Sequence, residues 1–564
     1  MLREWDILIE KIVETIESSK NVVCIQEYEK DVWFEKKEYN YIVKCQLLVE
    51  KATIDVIIGI PNDWEIDLID IYIRDRGFPF IPHMEKNGKL CLFDLEGCLI
   101  DSDLEGILIQ CINRAVHLIY AGLNKRNVTD FINEFEYYWN EQKGIEVMKV
   151  IHPKTKKITL MKYMNKSNEK FVNIAFETTE QLQGYDEKVS QCRNCIYYPV
   201  VSSDFIYPPD PREPLSVQYV ADILLLGNKK ELSRLLLKIK REQIIIIEIK
   251  QPNGTYNSIG VKLSGAKWEA GELLSCAKIS PIYISRIEKE YLIGRVKDDL
   301  LINKKILLIG CGSIGGYISD SLVKSGIEDL TIVDDDRLRE ENIFRHTLGM
   351  QYVGMYKSVA LAKHYKGNIP NLSIKTLESK IQSAILEEEI DISAYDIIIS
   401  ATGNHNVNLW LNKYIYEMKI DIPVIYAWNE VCGIGNHVAF INRNKKGCYQ
   451  CFFDRLPENG ELYDRNAYCE PGQQIVNIDA SCGHSYVPYG VVVSQKTAAM
   501  CMDIVIKYFR GNLEKNMILS LKGDKEYFES RGMKLSPKYY NQIQQQVSYI
   551  GEEFVNEQCT LCGK

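Results

Sequence analysis

The residues with the clearest chemistry lie in "ILLIGCGSIGGYISDSLVKSG" (306–326), where Gly310, Gly312 and Gly315 fall in G-x-G-x-x-G spacing. They close a strand-like run and open a helical one, the setting in which backbone N–H groups and a helix N-terminus face a phosphate. Asp334 ends the next strand-like run, "DLTIVDDD", where a carboxylate can hold a ribose hydroxyl. A dehydrogenase would look the same up to this point. The stretch that follows, "DDDRLREENIFRHTLG" and "YVGMYKSVALAKHYKGNIPN", sets Asp336, Asn342, Arg345 and Lys357 behind the first acid. Hydride transfer has no use for that arginine and lysine. Attack on the α-phosphate of ATP does, because cations must neutralise the triphosphate as pyrophosphate leaves.

Cysteines supply the second chemistry. Cys448 and Cys451 in "GCYQC" and Cys559 and Cys562 in "CTLCGK" form two C-x-x-C pairs, which can close one tetrahedral Zn2+ site or be unrelated thiols. A third pair, Cys192 and Cys195, has no evident partner. The chain's 17 cysteines are not read as disulfides, because the N-terminus carries acids throughout and lacks a signal peptide. That places the protein in the cytoplasm. The net charge of −9 argues against a broad nucleic-acid-binding face, and the most apolar run, "QIIIIEIK", is too short to span a bilayer.

The elements that must position these residues separate into three regions of a multidomain chain. Residues 1–145 open with an amphipathic helix, continue with strands such as "YNYIVKCQLLVE" and "ATIDVIIGI", and end in helices near 102–124 and 129–142. This is an α+β unit. Residues 146–285 alternate short strands and helices without a glycine loop. From 286 to 564, "KILLIG", "DLTIVD", "YDIIIS" and "IPVIYAW" alternate with helices, the pattern of a parallel doubly wound sheet.

From about Arg286 to Arg510 the sequence resembles the adenylation domain shared by ubiquitin-activating enzymes and ThiF-type sulfur-carrier adenylyltransferases. "DxDxxxxxNxxR", "VGxxK" and "CYQCFF" carry the likeness. It implies ATP and Mg2+, with Asp334 and Asp336 on ribose and metal-linked phosphate and Asn342, Arg345 and Lys357 on the triphosphate. His346 stands where the family has glutamine. Arg286, Lys289 or Arg295 would be the basic residue that reaches a dimer partner's ATP. Gly403, in "IISATGNHN", stands where the family has a magnesium-binding aspartate. The same likeness makes the zinc a pin for the chain end. It also makes Cys482, in "NIDASCGHSYVPYG", the thiol that takes the activated carboxyl, with His484 beside it and Cys469 as its rival.

Against that domain the front of the chain gains meaning. "GFPFIPHMEKNGKLCLFDLEG" sets His83, Gly88, Cys91 and Leu92 in an H-x4-G-x2-C-L pattern. Alone, Cys91 could be a buried core thiol. Ahead of an adenylation domain the segment resembles the active site of divergent bacterial ubiquitin-conjugating enzymes. Met84 and Glu85 replace the proline and asparagine of that family's H-P-N, which leaves Asn87 or a backbone N–H for the oxyanion. The middle region is expected to be a degenerate adenylation-like scaffold. The whole chain resembles the fused conjugating-plus-activating enzymes of bacterial antiphage systems that signal through cyclic oligonucleotides. Such an enzyme, by that resemblance a homodimer, adenylates the C-terminus of a nucleotide cyclase, moves it through Cys482 to Cys91, and ligates it to a target amine. Activation of a dedicated ubiquitin-like protein, an NAD-dependent redox enzyme on the same loop, and a non-catalytic scaffold are the alternatives.

Overall fold

The computed structural model describes residues 2–563 apart from 62, 65, 95–102, 166–172, 183–191, 240–241, 296–299, 370–371, 474–476 and 479–484. The chain divides into two compact units, 1–178 with 189–286, and 287–564 with 179–188.

The first unit begins with α1 (Leu2–Ser18) and an antiparallel meander of β1 (Val22–Phe34), β2 (Lys37–Val49), β3 (Ala52–Pro61) and β4 (Asp70–Ile73). One face of this sheet is apolar at alternate positions, as in Val43, Cys45 and Leu47, and packs on α2 (Leu104–Leu123). Among the described residues α2 is the one helix long and apolar enough to cross a bilayer. It buries Leu108, Cys111, Ile112, Ala115 and Ile119 in this core. Between β4 and α2 the loop returns along the sheet edge, held by Ile73 N–H to Gly88 O at 2.9 Å and Leu90 N–H to Ile71 O at 2.8 Å. Gly88 is required there: its φ is +90°, and a Cβ would fall 2.5 Å from Ile73 O. Two short helices follow, α3 (Asp130–Asn133) and α4 (Phe135–Asn140).

The middle region departs from the expected adenylation-like sheet. It holds β5 (Glu146–Val150), β6 (Thr159–Asn165), β7 (Asn173–Phe176), β8 (Arg193–Val201), α5 (Val217–Leu225), α6 (Lys229–Leu236), β9 (Gln243–Lys250) and β10 (Tyr256–Ser264). A small hairpin of β11 (Lys267–Glu269) and β12 (Glu272–Ser275) precedes β13 (Lys278–Arg286). Seven of these strands close a barrel in the order β10-β13-β5-β7-β6-β8-β9. The run "QIIIIEIK" explains the difference. Ile244 and Ile246 fill the barrel interior, whereas Ile245, Ile247 and Ile249 pack outward among residues of α5 and α6. Two cores, one on each face, give the same continuous apolar run as a parallel sheet covered on both sides.

The second unit is built on an eight-stranded sheet. After α7 (Lys289–Gly294) come β14 (Lys305–Ile309), α8 (Ser313–Lys324), β15 (Asp329–Val333), α9 (Lys357–Asn368), β16 (Ser373–Leu377), α10 (Ile381–Leu386), β17 (Ile397–Ser400), α11 (His405–Glu417) and β18 (Val424–Asn429). Strands β16-β15-β14-β17-β18 are parallel. Beyond β18 the sheet turns antiparallel through β19 (Gly435–Ile441), then, past the hairpins β20 (Phe453–Arg455) with β21 (Leu462–Asp464) and β22 (Asn477–Ile478) with β23 (Ser485–Tyr486) and helix α12 (Val491–Phe509), through β24 (Met517–Lys522) and β25 (Gln546–Ile550). Alternate residues of β14 feed opposite cores, Ile306 and Leu308 to one and Leu307 and Ile309 to the other. Strand order reverses at β14, between β15 and β17, where a crevice opens at the carboxyl ends of a doubly wound sheet.

Candidate functional site

A cleft of about 580 Å³ occupies that crevice, lined by residues that follow the ends of β14, β15, β16, β17 and β18. The glycines divide the work. Gly310 has φ +87° and would press a Cβ to 2.8 Å from Thr402 N. Gly315 lies against Gly310 O, where a Cβ would fall 1.9 Å away, so it brings helix to strand and does not line the cleft. Gly312, the N-cap of α8, lines the cleft with open space at its Cβ position, and leaves the helix N-terminus free for an anion.

Asp334 and Asp336 are joined through the backbone. Asp334 Oδ1 accepts the Asp336 N–H at 2.8 Å, and its other oxygen accepts the Cys311 N–H of the glycine loop. Burial raises the Asp334 carboxyl, and the nearby Lys357 charge opposes the rise. Lys357 opens α9, only 8% exposed, and donates to Asp336 Oδ2 at 2.8 Å. Asn342 and Arg345 line the same cleft from a 3₁₀ turn, Glu340–Arg345, that Asn342 Oδ1 closes by accepting the Arg339 N–H at 3.1 Å. His346 lines the cleft with both ring nitrogens engaged by backbone groups. Its Nε2–H donates to Cys311 O at 2.7 Å and its Nδ1 accepts the Leu348 N–H at 3.1 Å. Burial holds it neutral, with its pKa lowered to about 4. A glutamine could make the same two bonds.

Three features bear on the open points. Gly403 has φ +65° with no atom within 4 Å of a Cβ, and the carboxylates lining the cleft are Asp334, Asp335 and Asp336. Lys289 is buried, with Nζ on Ile327 O at 3.0 Å, whereas Arg295 is exposed. Lys380, Ser379 and Tyr489 also line the cleft, and sequence reading missed them. Lys380 lies just past β16, at the carboxyl edge of the sheet where the other site residues stand, a placement that only the sheet order supplies.

The four paired cysteines meet. Cys448, Cys451, Cys559 and Cys562 hold their sulfurs within 4.8 Å of one another, with Cys448–Cys451 at 3.9 Å, Cys448–Cys559 at 3.7 Å and Cys451–Cys562 at 3.3 Å. Four thiolates on Zn2+ with bonds near 2.3 Å are separated by about 3.8 Å, so the set fits zinc. Cys195 is instead a barrel-core thiol and Cys192 is half-buried apart from this group. Cys482 and His484 lie outside the described residues. Cys469, the rival thiol, is buried; burial, then the charge of Glu430, pushes it up to about 12, and its N–H is tied to Glu430 Oε2 at 2.8 Å.

In the first unit Cys91 is exposed, not a core thiol, and its N–H donates to His83 O at 2.8 Å. Its sulfur is nevertheless recessed among acids. Desolvation, then Glu85 and Glu134, push the thiol up to about 12, and Glu85 Oε1 lies 3.9 Å from Sγ. His83 has a left-handed backbone, φ +62°. Its ring is held between Glu134 Oε1 at 2.7 Å and Asp130 Oδ2 at 3.1 Å, chiefly the Glu134 bond raising its pKa. Asn87 closes its own turn by accepting the Lys89 N–H at 3.0 Å.

Residues 287–526 match the ThiF family, and residues 21–148 match prokaryotic E2 family B. The chain carries a ThiF-family domain behind a prokaryotic E2 domain. The cleft lies in the ThiF domain and Cys91 in the E2 domain. The chain is also similar to proteins called ATP-dependent ubiquitin transferase-like protein Cap2. That of Pseudomonas aeruginosa (strain BWHPSA011 / Pa011) is 24% identical over 76% of this chain and 80% of its own length. That of Escherichia coli (strain TW11681) is 32% identical over 36% of this chain and 35% of its own length. The SAMP-activating enzyme E1 of Haloferax volcanii is 23% identical over 29% of this chain and 58% of its own length.

Proposed function

We propose that the ThiF domain uses ATP to adenylate the C-terminal carboxylate of a partner protein, a nucleotide cyclase, and that the E2 domain ligates it to an amine on a target. The observation that carries this reading is the convergence of Gly312, Asp334, Asp336, Arg345 and Lys357 on one cleft. The glycine loop and α8 N-terminus receive phosphate, and Arg345 and Lys357 stabilise charge as a carboxylate oxygen attacks the α-phosphorus and pyrophosphate leaves. Asp334 holds the ribose. Mg2+ on Asp336 would neutralise phosphate charge. A dinucleotide redox reading leaves Arg345 and Lys357 without work.

Cys482 then attacks the acyl-adenylate, AMP leaves, and the thioester keeps the activation for transfer to Cys91 and on to the amine. Zn2+ on the four cysteines would pin the chain end to the turn after β19. Arg286 or Arg295 serves a second copy of the chain. A ubiquitin-like protein in place of the cyclase would pass through the same steps.

Isotope exchange between pyrophosphate and ATP tests the first half, with candidate partner proteins added one at a time. Partner-dependent exchange, and a thiol-labile adduct lost entirely in Cys482→Ala but retained in Cys91→Ala, are expected. NAD(H) turnover with no exchange for any C-terminus would overturn the reading.

A further inference from the structure

Cys91 stands among acids, chiefly Glu85 and Glu134. Of the nearby acids, Glu134 has both oxygens engaged, on His83 and on the Tyr138 hydroxyl. Lys89, the nearest cation, is spent on Asp70 Oδ1 at 2.7 Å. Glu85 differs. Among the described residues its carboxylate has one side-chain hydrogen-bond partner, the Cys91 thiol at 3.9 Å. The backbone around it is fixed, with Glu85 N–H on Lys89 O at 2.8 Å and Gly88 N–H on Glu85 O at 2.9 Å, so the carboxylate is presented to the sulfur by a closed turn. Burial raises the Glu85 pKa, which makes it a stronger base than a surface glutamate.

We propose that Glu85 is the proton shuttle of the ligation step, carrying a proton from the attacking amine to the departing Cys91 sulfur. This rests on the reading of Cys91 as an acyl carrier. The amine arrives neutral, having left its first proton in solvent. Its nitrogen attacks the thioester carbonyl, the N–C bond forms and the C–S bond breaks. One of the two N–H protons passes from nitrogen to Glu85 Oε1, the other stays on the amide, and the carboxylic acid returns the first to the Cys91 thiolate. The carboxylate is regenerated, nothing is oxidised or reduced, and the products are an amide and a thiol. The substrate class follows from the charges: the acids around Cys91 draw in a lysine side chain as a cation, which becomes nucleophilic once it has lost its first proton, in preference to an alcohol or an acid.

The test uses the full chain acylated at Cys91 by a short peptide thioester, with Cys91→Ala as the blank, and compares discharge by free lysine and by hydroxylamine. Hydroxylamine is neutral at pH 7 and attacks thioesters without base assistance. Glu85→Gln is expected to slow lysine discharge about 100-fold while leaving hydroxylamine discharge nearly unchanged, and Glu85→Asp to fall between. Equal lysine rates in Glu85→Gln and wild type, or equal losses toward both nucleophiles, would overturn the shuttle. A wild-type Cys91 thioester no more reactive toward lysine than the same peptide on free cysteine would overturn the carrier reading beneath it.

Discussion

The ThiF cleft and the Cys91 site each hold a histidine, and the two are in opposite states. His346 sits behind the glycine loop, neutral, donating to Cys311 O, with its pKa lowered to about 4. His83 sits behind Cys91 between Glu134 and Asp130, which favour its proton. The difference extends to the surroundings. Arg345, Lys357, Lys380 and a helix N-terminus line the cleft beside Asp334, Asp335 and Asp336, whereas the charges nearest the Cys91 thiol are those of Glu85 and Glu134. On the proposed function, one site receives an anion and the other an amine. The sharpest way to break that contrast is Lys357→Ala. Pyrophosphate exchange should fall by about 10²–10³-fold, while iodoacetamide labelling of Cys91 stays as in wild type. Loss of both would mean that the two sites are not chemically separate.

The next contrast is covalent support. The one group of described residues fit for a metal is the four-cysteine set of the ThiF domain. Cys559→Ser, or stripping the metal with a chelator, should cost that domain about 3 kcal/mol, near 10 °C in Tm. The E2-domain transition should not move in the same calorimetric scan. A single cooperative transition that shifts as a whole would show that the four-cysteine set supports more than its own domain.

What the sequence disclosed follows from which contacts are local. Gly310, Asp334, Asn342, Arg345 and Lys357 lie within one strand–helix–strand–helix stretch, so their spacing already carries the site. The cysteine pairs declared themselves because C-x-x-C is a local geometry. Lys380 and Tyr489 reach the cleft only through sheet order, and the acids around His83 arrive from 47 and 51 residues away. The barrel was misread because its strands, buried on both faces, look like those of a parallel sheet. Strand β1 carries the opposite signal: at the sheet edge it exposes Val23, Tyr28 and Trp33 and has no clean apolar alternation.

The histidine contrast has its own measurement. An unfolded histidine titrates near 6.5, and His346 in the fold near 4. Between those values the unfolded chain binds a proton that the folded chain refuses. Stability from His346 is therefore complete above pH 6.5 and is lost as pH falls, at up to about 1.4 kcal/mol per pH unit. His83 runs the other way: its raised pKa contributes stability below 6.5 that disappears as pH rises through the folded value. Melting curves at pH 7.5 and 5.5 should show His346→Gln gaining on wild type at the lower pH and His83→Gln falling further behind. The same shift in both variants would remove the contrast.

The smallest effect concerns the metal. Asp336, the carboxylate assigned to it, already shares Lys357, and Gly403 adds nothing. Gly403→Asp would place a second carboxylate in the cleft, with room for its Cβ. The left-handed backbone at φ +65° costs roughly 1 kcal/mol for a residue other than glycine, less for aspartate than for most. A small octahedral cation bound through one or two carboxylates gains from that exchange. The Mg2+ concentration giving half-maximal pyrophosphate exchange should therefore fall about threefold, at the expense of a degree or two in Tm. An unchanged requirement would mean that Asp336 and the triphosphate alone set the metal's affinity, and that the glycine at this position is a neutral replacement, not a weakened site.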